Sequence, residues 1–430
     1  MSTVVVQLGQ CGNQIGSHLW KLVEGNRDCR NGGIFLHPGI DEFTFRSVNV
    51  DSEPKVVRRF LQDAQNREVT FRQGNCVLGK RGRGSNWALG QWRPLLSRIT
   101  NYSSTGYSGH QDEKVIERAL EVTRKEIERC DAFTGCLLVH SLGGGTGSGL
   151  GSAFTESLRD LYPMANLISC VVLPYASGES PLQFYNTLLS LNVLLNTSDA
   201  IVYFSNDEIL HRLKQRLKDA DCSVSFAQIN SHIAACLGGV FLPVQSLTPA
   251  SGVSIGAEPG EMVRSVCPMP SHKFVHFNHL ARRYLPQGNS LSIEWKSEFV
   301  GSPISAFHSL QQFDSISALA IARVDSTLLL KESIPSIERK VCKAYRTADW
   351  NPFPVDFWFD SKPLVSNSSL SVAANCGLIT RHLQQTIVKA RQKYDARAYL
   401  HWYEKYNCRQ ENFDEAFEAL QFAIDQYDSI

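Results

Sequence analysis

The chain has 430 residues, of which 43% are hydrophobic, and this is enough for a large core divided among two or three domains. Its 43 basic and 42 acidic residues nearly cancel, which excludes the strong bulk field that would mark nucleic acid or an anionic membrane as the main partner. The 12 cysteines form no zinc-type cluster, no apolar run reaches the roughly 20 residues of a membrane span, and we see no export signal, so we expect a cytoplasmic protein with reduced thiols.

Short β-branched runs alternate with helical periodicity from the start of the chain to about residue 207. The runs lie at residues 4–6, 136–139, 167–172 and 200–204. Such alternation predicts an α/β fold with a parallel sheet and helices on both faces. The loops that leave the strands then gather at one edge of the sheet, which is where nucleotides bind in open α/β folds.

The second half of the chain has a different pattern. Residues 226–237 read as one long apolar helix, and strands mixed with Pro, Gly and Ser breaks follow to about residue 364. Two amphipathic helices are predicted at 378–399 and 413–427. The predicted domains are a nucleotide domain at 1–207, a core-helix region at 208–245, a second α/β domain at 246–377, and a C-terminal helical hairpin at 378–430.

The most informative segment is Gly-Gly-Gly-Thr-Gly-Ser-Gly at 143–149, between an apolar run and a predicted helix. Glycines let several backbone N–H groups converge on an anion at the positive end of a helix dipole, and Thr146 and Ser148 add hydroxyl donors. The segment therefore predicts a nucleotide ligand. A dinucleotide fingerprint would instead follow the first strand, with an acidic residue about 20 positions on.

Three other loops supply further groups for phosphate and metal. Residues 9–16 form a glycine-rich turn that presents Gln10 and Cys11, although such a turn is equally often plain helix packing. Asp51 and Glu53 end a predicted strand, where they would hold the water shell of Mg²⁺ or, alternatively, help to cap a helix. Residues 84–90 offer backbone amides and the Asn86 side chain to a terminal phosphate, although such a stretch on its own is more often an ordinary loop.

Later residues supply the groups that a nucleoside needs. Glu179 and Gln183 can bond ribose hydroxyls, Asn206 can read a purine edge, and Phe226 with Asn230 lies one helical turn apart. Taken singly, residue type favours Phe226 as a core residue and Asn206 as a helix cap.

One apparent phosphate motif is rejected. Residues 74–80 match the beginning of a P-loop, but Arg81 stands where a magnesium-binding Ser or Thr is required, and no helix is predicted to follow.

The chain resembles a tubulin over essentially its full length. The resemblance rests on the 143–149 segment, on residues 9–16, on Ser-Asn-Trp-Ala at 85–88 and on His-Trp-Tyr at 401–403. It implies a GTPase-like nucleotide domain, a core helix, an intermediate domain and a C-terminal hairpin. It also implies that GTP controls the end-to-end association of subunits.

The resemblance assigns roles residue by residue, with GTP or GDP and Mg²⁺ as ligands. The phosphate positions are Gln10, Cys11, Ser141, Gly144, Gly145, Thr146 and Gly147, with Ala88 in the loop that senses the terminal phosphate. The magnesium positions are Asp51 and Glu53. The ribose positions are Glu179 and Gln183, and the guanine positions are Asn206, Phe226 and Asn230.

Hydrolysis in tubulins is completed by a carboxylate from a neighbouring subunit. Counting back from Pro-Met-Pro at 268–270 assigns that carboxylate to Glu261, with Glu258 one turn before it. The alternative is a solvated helix face, because Arg264 follows on the same helix.

Several positions depart from the usual tubulin pattern. Gln183 replaces the ribose glutamate, Ser85 replaces an asparagine, and Pro259 interrupts the start of the helix that carries Glu261. The chain also ends without a long acidic tail, so we expect a minor tubulin of the zeta, delta or epsilon kind, in centrioles or basal bodies, rather than a bulk microtubule subunit. Its expected partners are other tubulin subunits and centriole or microtubule proteins, with no nucleic acid and no membrane.

Two functions stay open at this point. The first is a GTP-binding cytoskeletal protein whose hydrolysis needs a partner subunit. The second is a pseudo-GTPase scaffold without significant hydrolysis, which the departures at Gln183, Ser85 and Pro259 keep open. An oxidoreductase would rest on the glycine loop alone, and we find no hydride-acceptor site for it.

Overall fold

The computed structural model describes residues 2–26, 35–37, 43–64, 69–91, 115–178, 180–217, 224–244, 246–247, 259–282, 314–323, 341–342, 344–348, 350–352, 354–360, 364 and 368–430. They form two compact units. The first unit draws on residues 1–17, 35–201 and 383–422, and the second on residues 18–34, 202–382 and 423–430. The domain boundaries given by the sequence stay predictions.

The first part of the chain alternates strands and helices as the sequence predicts. Its strands are β1 Ser2–Leu8, β2 Leu36–His37, β3 Phe43–Phe45, β4 Ser47–Asp51, β5 Val69–Thr70, β6 Cys76–Leu78, β7 Phe133–Ser141, β8 Asn166–Leu173 and β9 Ala200–Ser205. Its helices are α1 Gly9–Gly25, α2 Pro54–Ala64, α3 Trp87–Gln91, α4 Val115–Glu128, α5 Gly151–Leu161 and α6 Gln183–Thr197. All four predicted β-branched runs are strands, and the α/β class is confirmed.

A parallel sheet organises the first unit. Its strands lie in the order β8-β7-β1-β4-β6, and each neighbouring pair is parallel. Val4, Val6 and Leu8 of β1 pack with apolar residues of α4 and α5 in one buried cluster. Because the strands are parallel, their carboxyl ends meet at a single edge, and the loops that follow β1, β4, β6 and β7 leave from there.

The second unit contains a mixed sheet. Its strands are β10 Ser246–Leu247, β11 Phe274–Arg282, β12 Asp314–Arg323, β13 Arg346–Thr347, β14 Val355–Asp360 and β15 Ser368–Cys376, and they lie in the order β10-β14-β12-β15-β11, with β13 paired to β12. The β12–β14 and β12–β13 pairs are parallel, whereas β15 is antiparallel to both of its neighbours. The helices that precede or interrupt these strands are α7 Asn206–Leu217, α8 Phe226–Phe241 and α9 Pro259–Val266.

The long apolar helix predicted from residue 226 is α8, and it extends to Phe241. Its first residue is fixed by a capping box, in which the Ser225 hydroxyl accepts from the Gln228 amide N–H and the Gln228 side chain accepts from the Ser225 amide N–H. Helix α9 begins at Pro259. A proline in the first turn costs no hydrogen bond, so Pro259 starts this helix and does not interrupt it.

The C-terminal region is helical, with one difference from the prediction. The helices are α10 Leu378–Asp395, α11 Leu400–Glu404 and α12 Gln410–Asp428. Helix α10 ends before residue 399 because Arg397 and Tyr399 have φ values of 52° and 62°, which a right-handed helix cannot contain. The Arg391 guanidinium of α10 lies 3.8 Å from the centre of the Phe417 ring of α12, so these two helices pack as a pair.

None of the helices in the described ranges combines the length and the hydropathy needed to cross a bilayer.

Candidate functional site

The glycine loop leaves β7 at Ser141 and runs into one π-helical turn, Thr146–Leu150, that continues as α5. A Cβ at Gly147 would lie 2.7 Å from Ser141 Oγ and 2.9 Å from the Ser141 backbone, so this position admits only glycine. The Ser148 hydroxyl donates to the carbonyl of Gly144. The predicted strand-loop-helix is therefore present, with its first helical amides at the edge where the parallel strands end.

The first turn of the chain meets this loop. Gly9 has a φ of +74°, and a Cβ on it would lie 3.1 Å from the backbone nitrogen of Gly147. Helix α1 begins at Gly9, with Gln10 exposed and Cys11 half-buried beside it. Desolvation raises the pKa of the Cys11 thiol to about 12. Cys11 is thus a neutral, weakly donating neighbour of the glycine loop.

A third loop, residues 84–90, packs on the same glycines. A Cβ at Gly145 would lie 2.6 Å from the Arg83 carbonyl oxygen and 2.7 Å from the Asn86 nitrogen. The Asn86 side chain caps α3, because its Oδ1 accepts from the Ala88 N–H at 2.8 Å. Its Nδ2 donates to the Trp402 carbonyl at 3.0 Å. The Asn86 amide that the sequence offered to phosphate is therefore engaged within the protein, and so is the N–H of buried Ala88.

Asn186 holds two of these loops together, and sequence reasoning assigned it no such role. Its Nδ2 donates to the carbonyls of Ser85 and Gly143, both at 2.8 Å. Its Oδ1 accepts from the Trp87 N–H at 2.9 Å and from the Tyr403 hydroxyl at 2.7 Å. The side chain is fully buried in α6, so all of its bonds are made within the protein. The apolar sequence of α6 contains two further asparagines, Asn192 and Asn196, so no sequence signal singles out Asn186.

The acidic loop after β4 also reaches the glycine loop. Ser52 Oγ lies 2.6 Å from Thr146 Oγ1. Asp51 is buried, and its Oδ2 makes no hydrogen bond within the described part of the chain. Burial, followed by the charge of the exposed Glu53 carboxylate, raises the pKa of Asp51 to about 6.

The described residues contain no group of three or more His, Cys, Asp or Glu side chains that could hold a metal by themselves. A buried carboxylate oxygen without a hydrogen bond does fit an ion that brings its own water and shares phosphate oxygens.

Basic residues follow β6, in and after the segment 74–80 that matches the beginning of a P-loop. Lys80, Arg81 and Arg83 occupy three of the four positions 80–83 in the loop between β6 and α3, and Lys80 and Arg81 are exposed. Since β6 is parallel to β4, this loop leaves the same sheet edge as the glycine loop. The three charges add positive potential where an anion would bind. The three basic residues within four positions are the sequence signal that could have indicated this positive loop.

Gln183, one of the two predicted ribose residues, is the first residue of α6. Gln183 is buried, and its Nε2 donates to the Tyr175 carbonyl at 2.7 Å. Glu179, the other predicted ribose residue, lies outside the described residues.

The guanine positions belong to the second unit. Asn206 is the first residue of α7 and is half-buried. On α8, Phe226 is 56% exposed, and Asn230 is buried one turn later. The core interpretation of Phe226 is therefore wrong, because the first residue of α8 projects an aromatic ring into solvent.

The predicted catalytic carboxylate is also in the second unit. Glu261 lies in the first turn of α9 and is 8% exposed. Its Oε1 accepts from Arg264 Nη1 at 2.5 Å. This i,i+3 ion pair joins the buried carboxylate to the exposed Arg264 side chain on the same helix. Glu258 lies outside the described residues.

Comparison with known proteins agrees with this geometry. Residues 2–214 match the family described as Tubulin/FtsZ family, GTPase domain. A tubulin delta chain of Homo sapiens is 27% identical over 480 residues, and one of Mus musculus is 26% identical over 481 residues. Those alignments cover 99% and 100% of both chains, respectively. A nucleomorph tubulin beta chain of Guillardia theta is 25% identical over 446 residues, which is 99% of this chain and 95% of that one.

The matched domain implies that the chain binds guanine nucleotide, GTP or GDP. The chain belongs to the tubulin superfamily, as a divergent minor tubulin.

Proposed function

We propose that this protein is a GTP-binding subunit of the tubulin cytoskeleton. The observation that carries the proposal is the convergence of three glycine-containing loops at one edge of a parallel sheet, with Gly9 against the Gly147 backbone and Gly145 against the backbone of the 84–90 loop. Convergent amides at a helix start, without side chains in the way, suit a polyphosphate. The Thr146 hydroxyl and the exposed Gln10 side chain add donors beside those amides.

Magnesium is part of this proposal. Asp51 would hold the ion or its water shell through Oδ2, and Glu53, exposed two residues on, would take a second water. Held by these residues, Mg²⁺ would supply positive charge that neutralises the phosphates. A bound cation would also lower the pKa of Asp51, since it favours the ionised carboxylate.

The base would be read from α8. Phe226 supplies an exposed ring for stacking, and Asn230 and Asn206 supply amides for the purine edge. Gln183 donates one amide N–H to the Tyr175 carbonyl, so it would reach ribose through its amide oxygen or its second N–H, and Glu179 would add a carboxylate.

Hydrolysis would be completed by a second subunit whose Glu261, assisted by Glu258, orients water against the bound GTP. The same Glu261 supports the second candidate, a pseudo-GTPase scaffold, because its carboxylate is mostly buried and paired with Arg264. Release of the carboxylate from Arg264 would then be a step of assembly in an active enzyme. In a scaffold the ion pair between Glu261 and Arg264 would remain intact.

The proposed setting is a centriole, a basal body or another specialised microtubule structure, with other tubulin subunits as end-to-end partners. Similarity to tubulin delta chains over the full length supports this setting. A tagged protein that spreads evenly along all microtubules, or that stays off them entirely, would contradict it.

The nucleotide proposal is tested by purifying the protein without added nucleotide, denaturing it and identifying the released compounds by chromatography. We expect guanine nucleotide in a one-to-one ratio with the chain. An empty protein that also fails to bind added GTP would overturn the proposal.

Hydrolysis in trans is tested by mixing two variants. Glu261→Ala keeps its nucleotide loops, whereas Gly145→Ala keeps its carboxylate but loses its loops, so neither assembly should release phosphate alone. A mixture should release phosphate if the two sites come from different subunits. A wild-type assembly that binds GTP without hydrolysing it would instead support the scaffold.

A further inference from the structure

A buried pair of hydroxyls connects the acidic loop to the glycine loop. Ser52, between the two acidic residues, is 1% exposed, and its Oγ lies 2.6 Å from Thr146 Oγ1. The two residues are 94 positions apart. This contact links a loop proposed to hold a metal ion with a loop proposed to hold phosphate.

The backbone around Ser52 leaves it little freedom to move. The Gly79 N–H donates to the Asp51 carbonyl at 2.8 Å. A Cβ at Gly79 would lie 2.8 Å from the Ser52 carbonyl oxygen and 3.0 Å from Ser52 Cα, so the two segments are in close backbone contact. Ser52 is therefore held on both sides, and Thr146 is the more exposed member of the pair.

A hydroxyl has one proton to donate and two lone pairs to accept with. If Thr146 donates to Ser52, its proton is used within the protein. If Ser52 donates to Thr146, the Thr146 proton is available to an anion, and the acceptance of the first bond strengthens the donation of the second. A phosphate oxygen beside Thr146 selects the second arrangement.

We propose that Ser52 is a positioning residue for nucleotide binding, whose hydroxyl donates to Thr146 so that Thr146 donates to a phosphate oxygen. The inference rests on the proposed binding of guanine nucleotide at the glycine loop. Ser52 does not touch the nucleotide itself. It fixes the direction in which the Thr146 hydroxyl donates. In this way the position of the acidic loop affects the hydrogen bond from Thr146 to the phosphate oxygen.

The test compares GTP with guanosine, which has no phosphate. Ser52→Ala is expected to weaken GTP binding by about three- to tenfold, the value of one hydrogen bond, and to leave guanosine binding unchanged. In a Thr146→Val background, Ser52→Ala should have no further effect on GTP, whereas in a Thr146→Ser background its effect should persist. Affinities are measured by competition with a fluorescent guanine nucleotide.

Ser169→Ala is the matched control. Ser169 Oγ lies 2.7 Å from Ser198 Oγ in another buried hydroxyl pair of the first unit, outside the three glycine loops. Its loss should lower the thermal midpoint without changing the ratio of GTP to guanosine affinity. If Ser52→Ala does not fold, Ser52→Cys keeps the size of the side chain with a weaker donor and should still weaken GTP selectively.

Two results would overturn the inference while wild-type GTP binding stands. One is an unchanged GTP affinity in the Ser52 variants, and the other is an equal loss for GTP and guanosine, which marks a purely structural residue. A wild-type protein that binds neither compound would instead overturn the proposed function and, with it, this inference.

Discussion

Removal of the Asn186 side chain should loosen two of the nucleotide loops at once. Asn186→Ala deletes four hydrogen bonds, to the Ser85 and Gly143 carbonyls, the Trp87 N–H and the Tyr403 hydroxyl. Ser85 is exposed, so water can replace its bond. The other three partners, of which the Trp87 N–H and the Tyr403 hydroxyl are buried and the Gly143 carbonyl is half-buried, lose a bond at about 1 kcal/mol each, which gives a total of about 3 kcal/mol.

Hydrogen exchange at the Trp87 amide reports this change directly, because that N–H donates to Asn186. If opening of the loop follows the lost free energy, exchange in the peptide that covers residues 84–91 should accelerate about 100-fold in Asn186→Ala. GTP affinity should fall with it. A local measurement is preferable here, because the chain forms two compact units and global unfolding need not be two-state.

Asn192→Ala is the control for this experiment. Asn192 lies on the same helix and is also buried, but its Oδ1 makes no hydrogen bond in the described part of the chain. We expect little change at residues 84–91 in this variant. Equal exchange in the two variants, or wild-type exchange in Asn186→Ala, would refute the reasoning that Asn186 fixes the loops.

Three further predictions concern the glycines, the acidic loop and the base. Gly145→Ala should abolish nucleotide binding, because its Cβ would meet backbone atoms at 2.6 and 2.7 Å. Gly144→Ala should keep the fold, because its Cβ would meet nothing closer than 3.7 Å. The thermal midpoints and GTP affinities of the two variants check this prediction. The pKa of Asp51 is about 6 in the folded protein, against an ordinary 3.8, so only the folded state binds the proton between pH 4 and 6. The free energy of unfolding therefore falls as the pH rises through that window, by about 3 kcal/mol in all. Asp51→Asn should therefore stabilise the nucleotide-free protein at pH 7 but not at pH 4, in thermal unfolding, and should remove any stabilisation by Mg²⁺ with GTP. Phe226→Ala should weaken GTP about tenfold through lost stacking, while Phe422→Ala, with a comparably exposed ring on α12, should not; equal affinities would exclude base stacking on Phe226.

Local signals account for most of what the sequence predicted about the fold. The β-branched runs became strands, and α8 begins where Ser225 and Gln228 form a capping box. Helix α10 shows the limit of periodicity, because its pattern continues past Asp395 whereas the left-handed Arg397 and Tyr399 end the helix earlier. A positive φ at a residue other than glycine leaves little trace in sequence.

The polar contacts of the site could not be predicted, because they join residues far apart in the chain. Asn186 bonds groups 43, 101 and 217 positions away, and Ser52 meets Thr146 across 94 positions. Helix α6 carries Asn186, Asn192 and Asn196 in one apolar sequence. Nothing in that sequence distinguishes the asparagine that holds the loops from the two that do not.

The exposed Phe226 ring is better evidence for a ligand site than a buried ring would be. An aromatic ring left 56% exposed forgoes part of the hydrophobic stabilisation that burial would give it. The capping box at Ser225 already fixes the start of α8, so the helix does not depend on this ring for its first turn. Asn230, one turn later, is buried, and thus α8 places an apolar face in solvent next to an enclosed amide. That combination stabilises the free protein poorly and suits a flat, hydrogen-bonding ligand such as a purine.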